Sequence, residues 1–220
     1  MRIVAVDTTT PGGSVALVED GEARAEVRVV AADRHSRWLV RAVELVVEGL
    51  GLAPGDVDAW AVATGPGSFT GLRVGLSTVQ GLALASSRPC VGLSSLDVLA
   101  SLVRGTAATI VALVDAFRDE VYSGVYDAEA RPAGPCGVGP VEAVLEGLGG
   151  PVAFVGNGAE RFRARIQSRM PGATFPAHDP WLAVALAGLA ATTLASGGRM
   201  DPAALRPLYL RGADIRKAAP

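Results

Sequence analysis

The chain has 220 residues, with 20 Lys and Arg against 22 Asp and Glu, for a formal charge of −2. That balance excludes a dedicated nucleic-acid module, which needs clustered cations to displace counterions. Half of the residues are apolar and 19% are charged, which excludes a disordered chain and leaves enough material for one large domain or two lobes. The two cysteines, Cys90 and Cys136, fit no ligand spacing and read as reduced, packed thiols.

In chain order, Ile3 to Asp7 reads as a buried strand, Thr8 to Gly13 as a turn and Ser14 to Glu19 as a returning strand. Asp20-Gly21 is a hairpin signal into a third strand at Ala23 to Val30. A helix is expected from Asp33 to Gly49, then a strand over Ala59 to Thr64, a helix over Thr70 to Ser86, a strand over Pro89 to Leu93 and a helix over Ser95 to Val103. The second half opens the same way. A strand at Ala108 to Asp115 turns through Ala116 to Asp119 and returns over Glu120 to Asp127, with a third strand near Gly137. A helix at Val141 to Leu148, a strand at Val152 to Val155 and a helix from Gly156-Asn157-Gly158 to Arg169 follow. Asp179-Pro180 reads as an N-cap with Pro at the first helical position, opening an Ala-rich buried helix. Neither this stretch nor the N-terminus reads as a membrane span or signal peptide, so a cytoplasmic protein is expected.

Two helices carry more apolar surface than one core needs. In helix 33–49 the apolar residues cover roughly 220°, against the ~100° of an ordinary surface helix. Helix 70–86 has a large-residue face (Leu72, Leu76, Val79, Ala83) and a small-residue face (Gly71, Gly75, Thr78, Ala85, with Leu82). Each interior Gly costs about 0.8–1 kcal/mol relative to Ala, so two on one face imply tight packing, within the lobe or against a second subunit. The expected partner contacts are Leu39, Val43, Val46, Gly71, Gly75, Thr78 and Leu82.

Signals for catalysis are sparse. His35 and His178 are the only imidazoles, and Leu39 stands where an HxxxH metal pair would need its second ligand. Gly65 to Gly71 runs from a strand end into a helix start, as an anion-binding turn would, but without the Lys of a P-loop. Arg161, Arg165 and Arg169 share a helical face that reads as solvated or as a phosphate contact. A nucleotide or anion, if bound weakly, is expected at Asp7, Thr8, Gly156, Asn157 and Gly158.

Met1 to Thr9, Ser14 to Leu17, Gly65 to Gly75, Gln80 to Leu84, Val91 to Leu96, Asp115 to Tyr122 and Tyr209 to Arg211, in this order, resemble the TsaB (YeaZ) family over nearly the whole chain. The segment Gly65 to Gly75 is the most specific. The resemblance implies an α/β fold of two duplicated lobes of the actin/Hsp70/sugar-kinase (ASKHA) type, with mixed sheets flanked by helices. The lobes are expected at 1–102 and 103–200, with 201–220 packing back on the first. It further implies a non-catalytic subunit that supports the TsaD catalytic paralogue in making tRNA N6-threonylcarbamoyladenosine next to the anticodon. The TsaE ATPase would be a further partner, the chain alone would form a homodimer, and tRNA would be met only within the complex. No tightly bound cofactor is expected, and ATP or ADP only at a shared interface. Bulky Phe117 and Arg118 in the second turn argue against autonomous ATP hydrolysis. The other reading is a metal-dependent peptidase or ATP-using enzyme of the same fold.

Overall fold

The computed structural model describes residues 1–30, 35–198 and 200–211. The first sheet contains β1 (Arg2–Asp7), β2 (Gly13–Glu19), β3 (Glu22–Val29), β4 (Ala59–Gly65) and β5 (Cys90–Ser94), in the order β3-β2-β1-β4-β5. The second contains β6 (Thr109–Asp115), β7 (Val121–Asp127), β8 (Gly137–Gly139) and β9 (Val152–Val155), in the order β8-β7-β6-β9. In both sheets the opening strand pairs antiparallel with the next and parallel with the strand after the meander. This is the duplication expected from the two strand-Asp-turn-strand starts.

The helices are α1 (His35–Glu48), α2 (Phe69–Ser86), α3 (Ser95–Leu102), α4 (Val141–Leu145), α5 (Asn157–Arg161), α6 (Arg163–Arg169) and α7 (Ala183–Ala195). They create three apolar layers. Helices α1 and α2 cover the outer face of the first sheet over Val4, Val6, Val15, Leu17, Trp60 and Val62. Helices α4 to α6 cover the outer face of the second sheet over Val111, Leu113 and Phe154. Helices α3 and α7 lie between the sheets. Strand alternation explains the split: in β1, Val4 and Val6 face outward to α1 and α2, while Ile3 and Ala5 face inward. The inner face is built from alanines, with Ala16, Ala5 and Ala61 in register across three strands. Opposite them α7 presents Ala183, Ala187 and Ala190. Small side chains on both surfaces let the helix backbone come close to the sheet, which accounts for the Ala-rich composition of α7.

Several expectations need correction. Helix α7 packs on β1, β2, β4 and β5, so the second lobe does not run to residue 200: the first lobe regains the chain near 183. Asp179-Pro180 does not cap it. The Asp179 carboxylate accepts from the Trp181 amide at 3.0 Å and pairs with Arg28 at 2.6 Å. The first amide of α7, at Ala183, instead donates to the Ser14 hydroxyl of β2 at 3.2 Å. The helix expected to run unbroken to Arg169 is interrupted at Phe162, whose ring is buried under the second sheet and whose backbone, at φ −100° and ψ 12°, leaves the helical range. Helix α4 ends at Leu145, not Leu148. The expected helix start at Asp33 and the tail 212–220 lie outside the described residues. Between residues 200 and 208 the chain contacts the first lobe: Met200 bridges Cys90, the Gln80 amide donates to the Pro202 carbonyl, and the Leu208 amide donates to the Thr64 carbonyl at 2.8 Å, whereas Arg211 reaches the 115–120 turn of the second sheet.

Candidate interaction surface and interlobe cleft

The residues expected to meet a partner fall into two groups. Leu39, Val43 and Val46 are buried and hold α1 on its own sheet. Gly71 and Gly75 are buried as well, and their smallness is used inside the lobe. A Cβ at Gly71 would fall well under 3.0 Å from the Thr8 carbonyl oxygen, and one at Gly75 equally close to the Thr8 hydroxyl. Gly67, one turn earlier, meets the Thr9 carbonyl in the same way. The small-residue row read as a partner-facing stripe is thus a seat for the first loop. The Thr8 hydroxyl donates to the Gly71 carbonyl at 2.8 Å and the Ser68 amide to the Thr9 carbonyl at 2.7 Å. Ser68 caps α2 by accepting from the Gly71 amide.

Thr78 and Leu82 do line an outward-facing groove between α1 and α2, about 460 Å³ in volume, with Val40, Val43, Glu44 and Gly81. Val40, which lines it, is 53% exposed, and Leu45, elsewhere on the solvent face of α1, is 64% exposed. Sequence reasoning found the over-wide apolar arc but chose its buried side. The signal that separates the two sides is the register of α1 on the sheet, which Leu39, Ala42, Val43, Val46 and Val47 set by pointing inward together.

The residues expected to touch a nucleotide or anion are only partly brought together. Asp7 is fully buried, and its carboxylate accepts from the Thr9 amide at 2.9 Å and the Thr9 hydroxyl at 2.7 Å. Asp7 and Thr8 support the loop from beneath, while Thr9 and Thr10 reach the cleft. There they face Asn157 across a cavity of about 220 Å³, which His35, Ser68 and Phe117 also line. Gly156 and Asn157 border a neighbouring cavity of about 590 Å³ with Glu160 and Arg163. Gly158 packs against the Leu113 backbone of β6. Asn157 is held by accepting from the Asp115 amide at 3.0 Å. Two of the three arginines expected to share a helical face are engaged locally: Arg161 binds Asp115 with both oxygens at 2.6 and 2.7 Å, and Arg165 pairs with Asp119 at 2.7 Å. They brace the 115–120 turn and are not a bare cationic face.

His35 is buried edge-on against Trp38, and burial pushes its imidazole below its ordinary value against the opposing pull of the Thr10 backbone. Among the described residues no three His, Cys, Asp or Glu converge as a metal would require, and no helix is long and apolar enough to cross a membrane. Cys90 and Cys136 are free, and burial raises the Cys90 thiol to about 11.

Burial pushes the Asp7 carboxyl above its ordinary 3.8, against the two bonds from Thr9 that favour the anion. A native-state value above the unfolded one means that the folded protein holds the proton more tightly. The contribution of Asp7 to stability is therefore full below pH 3.8 and is lost as pH rises through the native value. Asp7→Asn keeps an acceptor for Thr9 and removes this titration. The variant is expected to gain over the parent as pH rises from 4 to 8, with each 1 kcal/mol appearing as about 2–4 °C in Tm. Thermal melts across that range check it; a Tm difference that shrinks with pH contradicts the sign.

The comparisons with known proteins agree with this architecture. The family model described as "TsaD: tRNA N6-adenosine threonylcarbamoyltransferase" matches residues 27–168. The tRNA threonylcarbamoyladenosine biosynthesis protein TsaB of Escherichia coli K12 is 37% identical over 128 residues, 57% of this chain and 55% of that one, so the match spans about half the length of that relative. The solved structure of YeaZ from Pseudomonas aeruginosa superposes with a TM-score of 0.81 at 33% identity, covering 95% of this chain and 99% of that one. The activator of the 2-hydroxyisocaproyl-CoA dehydratase from Clostridium difficile shares the fold at a TM-score of 0.59 and 11% identity, over 90% of this chain and 97% of that one. The fold is thus the two-lobed actin/Hsp70/sugar-kinase type.

Proposed function

The chain belongs to the TsaB (YeaZ) family, and from that premise we propose that it is a pairing subunit, without catalytic residues of its own, in the synthesis of tRNA N6-threonylcarbamoyladenosine. In this reading the α1–α2 groove receives the corresponding helices of a TsaD-type paralogue. The observation that carries it is the exposure of Val40, which lines the groove with Val43, Thr78 and Leu82, together with that of Leu45 elsewhere on the solvent face of α1. Two large aliphatic side chains left in water on one helix gain little for the monomer and much for an interface core. The TsaD family model spans both α1 and α2, so a partner of that family carries helices of related shape. A standard interface buries about 800 Å² per partner, and a homodimer would use the same face and compete with the paralogue. TsaE and tRNA would join the assembled pair.

Light scattering on a sizing column tests this, with the chain alone and mixed with the TsaD-type protein of the same cell. A 1:1 heterodimer that forms at the expense of any self-dimer is the expected result. A chain that elutes unchanged in the presence of the paralogue overturns the proposal. Tight stoichiometric ATP or metal binding by the chain alone would favour the enzyme reading.

A further inference from the structure

A cavity of about 750 Å³ lies apart from the groove, between the start of α2, the 115–120 turn and residues 208–211. Three exposed rings border it: Phe69, Phe117 and Tyr209, at 52%, 58% and 45%. Phe69 and Tyr209 stack with centroids 5.4 Å apart. The Arg73 guanidinium lies 4.2 Å from the Phe69 centroid, and its Nε is 3.4 Å from the Tyr209 hydroxyl. Among the described residues no carboxylate pairs with Arg73. Phe117 projects from a turn whose three successive residues, Phe117, Arg118 and Asp119, all have left-handed φ of 58°, 51° and 65°. Such a conformation in non-glycine residues costs about 1 kcal/mol or more each. The turn is braced from several sides. Asp115 accepts from the Phe117 amide at 2.9 Å, Arg165 binds Asp119, and Arg211 donates to the Ala116 carbonyl at 3.0 Å and pairs with Glu120.

A ring held out into water by a braced turn, next to a second aromatic pair and a guanidinium that no acid among the described residues pairs with, is chemistry suited to a flat heterocycle with an anion beside it. An aliphatic helix would leave Arg73 uncompensated. We propose that this cavity takes an unstacked base of single-stranded RNA, the base lying on Phe117 and a flanking phosphate meeting Arg73. The chain's net charge of −2 gives little non-specific attraction for RNA, so the contact is a local foothold and not a stand-alone RNA module. The proposal depends on the function proposed above only for which RNA is met. Its residues lie outside the α1–α2 groove, so the two readings fail separately.

The test is fluorescence anisotropy of an end-labelled single-stranded RNA decamer titrated with the full chain at low salt. The same sequence as a duplex and AMP as a competitor form the other arms. Binding of the single strand at least about tenfold tighter than the duplex is expected. Phe117→Ala should weaken it within the roughly 5- to 150-fold span of base–aromatic stacking, Phe117→Tyr should restore it, and Arg73→Ala should flatten the salt slope by about 0.7. Unchanged Tm values establish that the variants fold. The proposal is overturned by parental affinity in Phe117→Ala, by equal binding of the duplex, or by no binding at all. Displacement by AMP at the RNA's own affinity would overturn it in favour of a free-nucleotide pocket.

Discussion

Gly71→Ala is expected to lower stability by about 3 kcal/mol or more, a fall of about 6–12 °C in Tm. The added methyl group would meet the Thr8 carbonyl oxygen, a backbone atom that cannot rotate away. Thr8 is itself fixed, because its hydroxyl donates into α2 at the Gly71 carbonyl. Relief therefore requires moving either the helix or the loop that carries buried Asp7. Gly81→Ala on the same helix provides the contrast. A Cβ there meets nothing within 4 Å, so the usual helix propensity applies and a gain of about 0.8–1 kcal/mol is expected. Differential scanning calorimetry of the two variants separates close packing from general intolerance in α2. A Gly71→Ala protein that melts within a degree of the parent would mean that loop and helix are not locked together.

Val40→Glu combined with Leu45→Glu is expected to weaken pairing with the TsaD-type paralogue by more than about 100-fold, while leaving Tm within about 2 °C of the parent. Both side chains are more than half exposed, so the monomer loses little packing, and surface changes of this kind usually fall within ±0.5 kcal/mol. In a complex the same positions would place two carboxylates in a desolvated core, where individual positions reach 2 kcal/mol or more. Isothermal titration with the paralogue, with circular dichroism of the free variant, gives both numbers. Parental affinity in the double variant would move the interface elsewhere on the chain. A variant that loses helix content would show that Val40 and Leu45 support the fold.

The order of elements was legible because their signals are local. Ile3 to Val6 is a continuous apolar run, Asp20-Gly21 marks a hairpin, and Ser94 precedes α3 as a cap. What escaped the sequence depends on residues far apart in the chain. The glycines at 67, 71 and 75 announce close approach, but nothing local names Thr8 and Thr9 as what approaches. The cap of α7 is a serine 169 positions away, which no local signal such as the nearby Asp179-Pro180 can indicate. The break at Phe162 follows from burying one ring under the second sheet. On α1, periodicity measured the width of the apolar arc and could not show which edge faces water, because α2 and the sheet together decide that. Of the seven residues expected on a partner surface, three, Val43, Thr78 and Leu82, therefore line the groove between α1 and α2.

The placement of α7 sets a schedule for biosynthesis. Strand β5, the last of the first sheet, ends at Ser94, yet the helix that lies on that sheet's alanine face begins at Ala183. A ribosome adding about 5–20 residues per second needs roughly 5–20 s to cover that interval. During it the first sheet has emerged with α3 on its β4–β5 side but its inner surface over β1 and β2 bare, and the whole second sheet is made before the missing layer arrives. Completion of the first lobe is thus tied to completion of the second, and a nascent chain halted between them carries an open apolar face that a chaperone would bind.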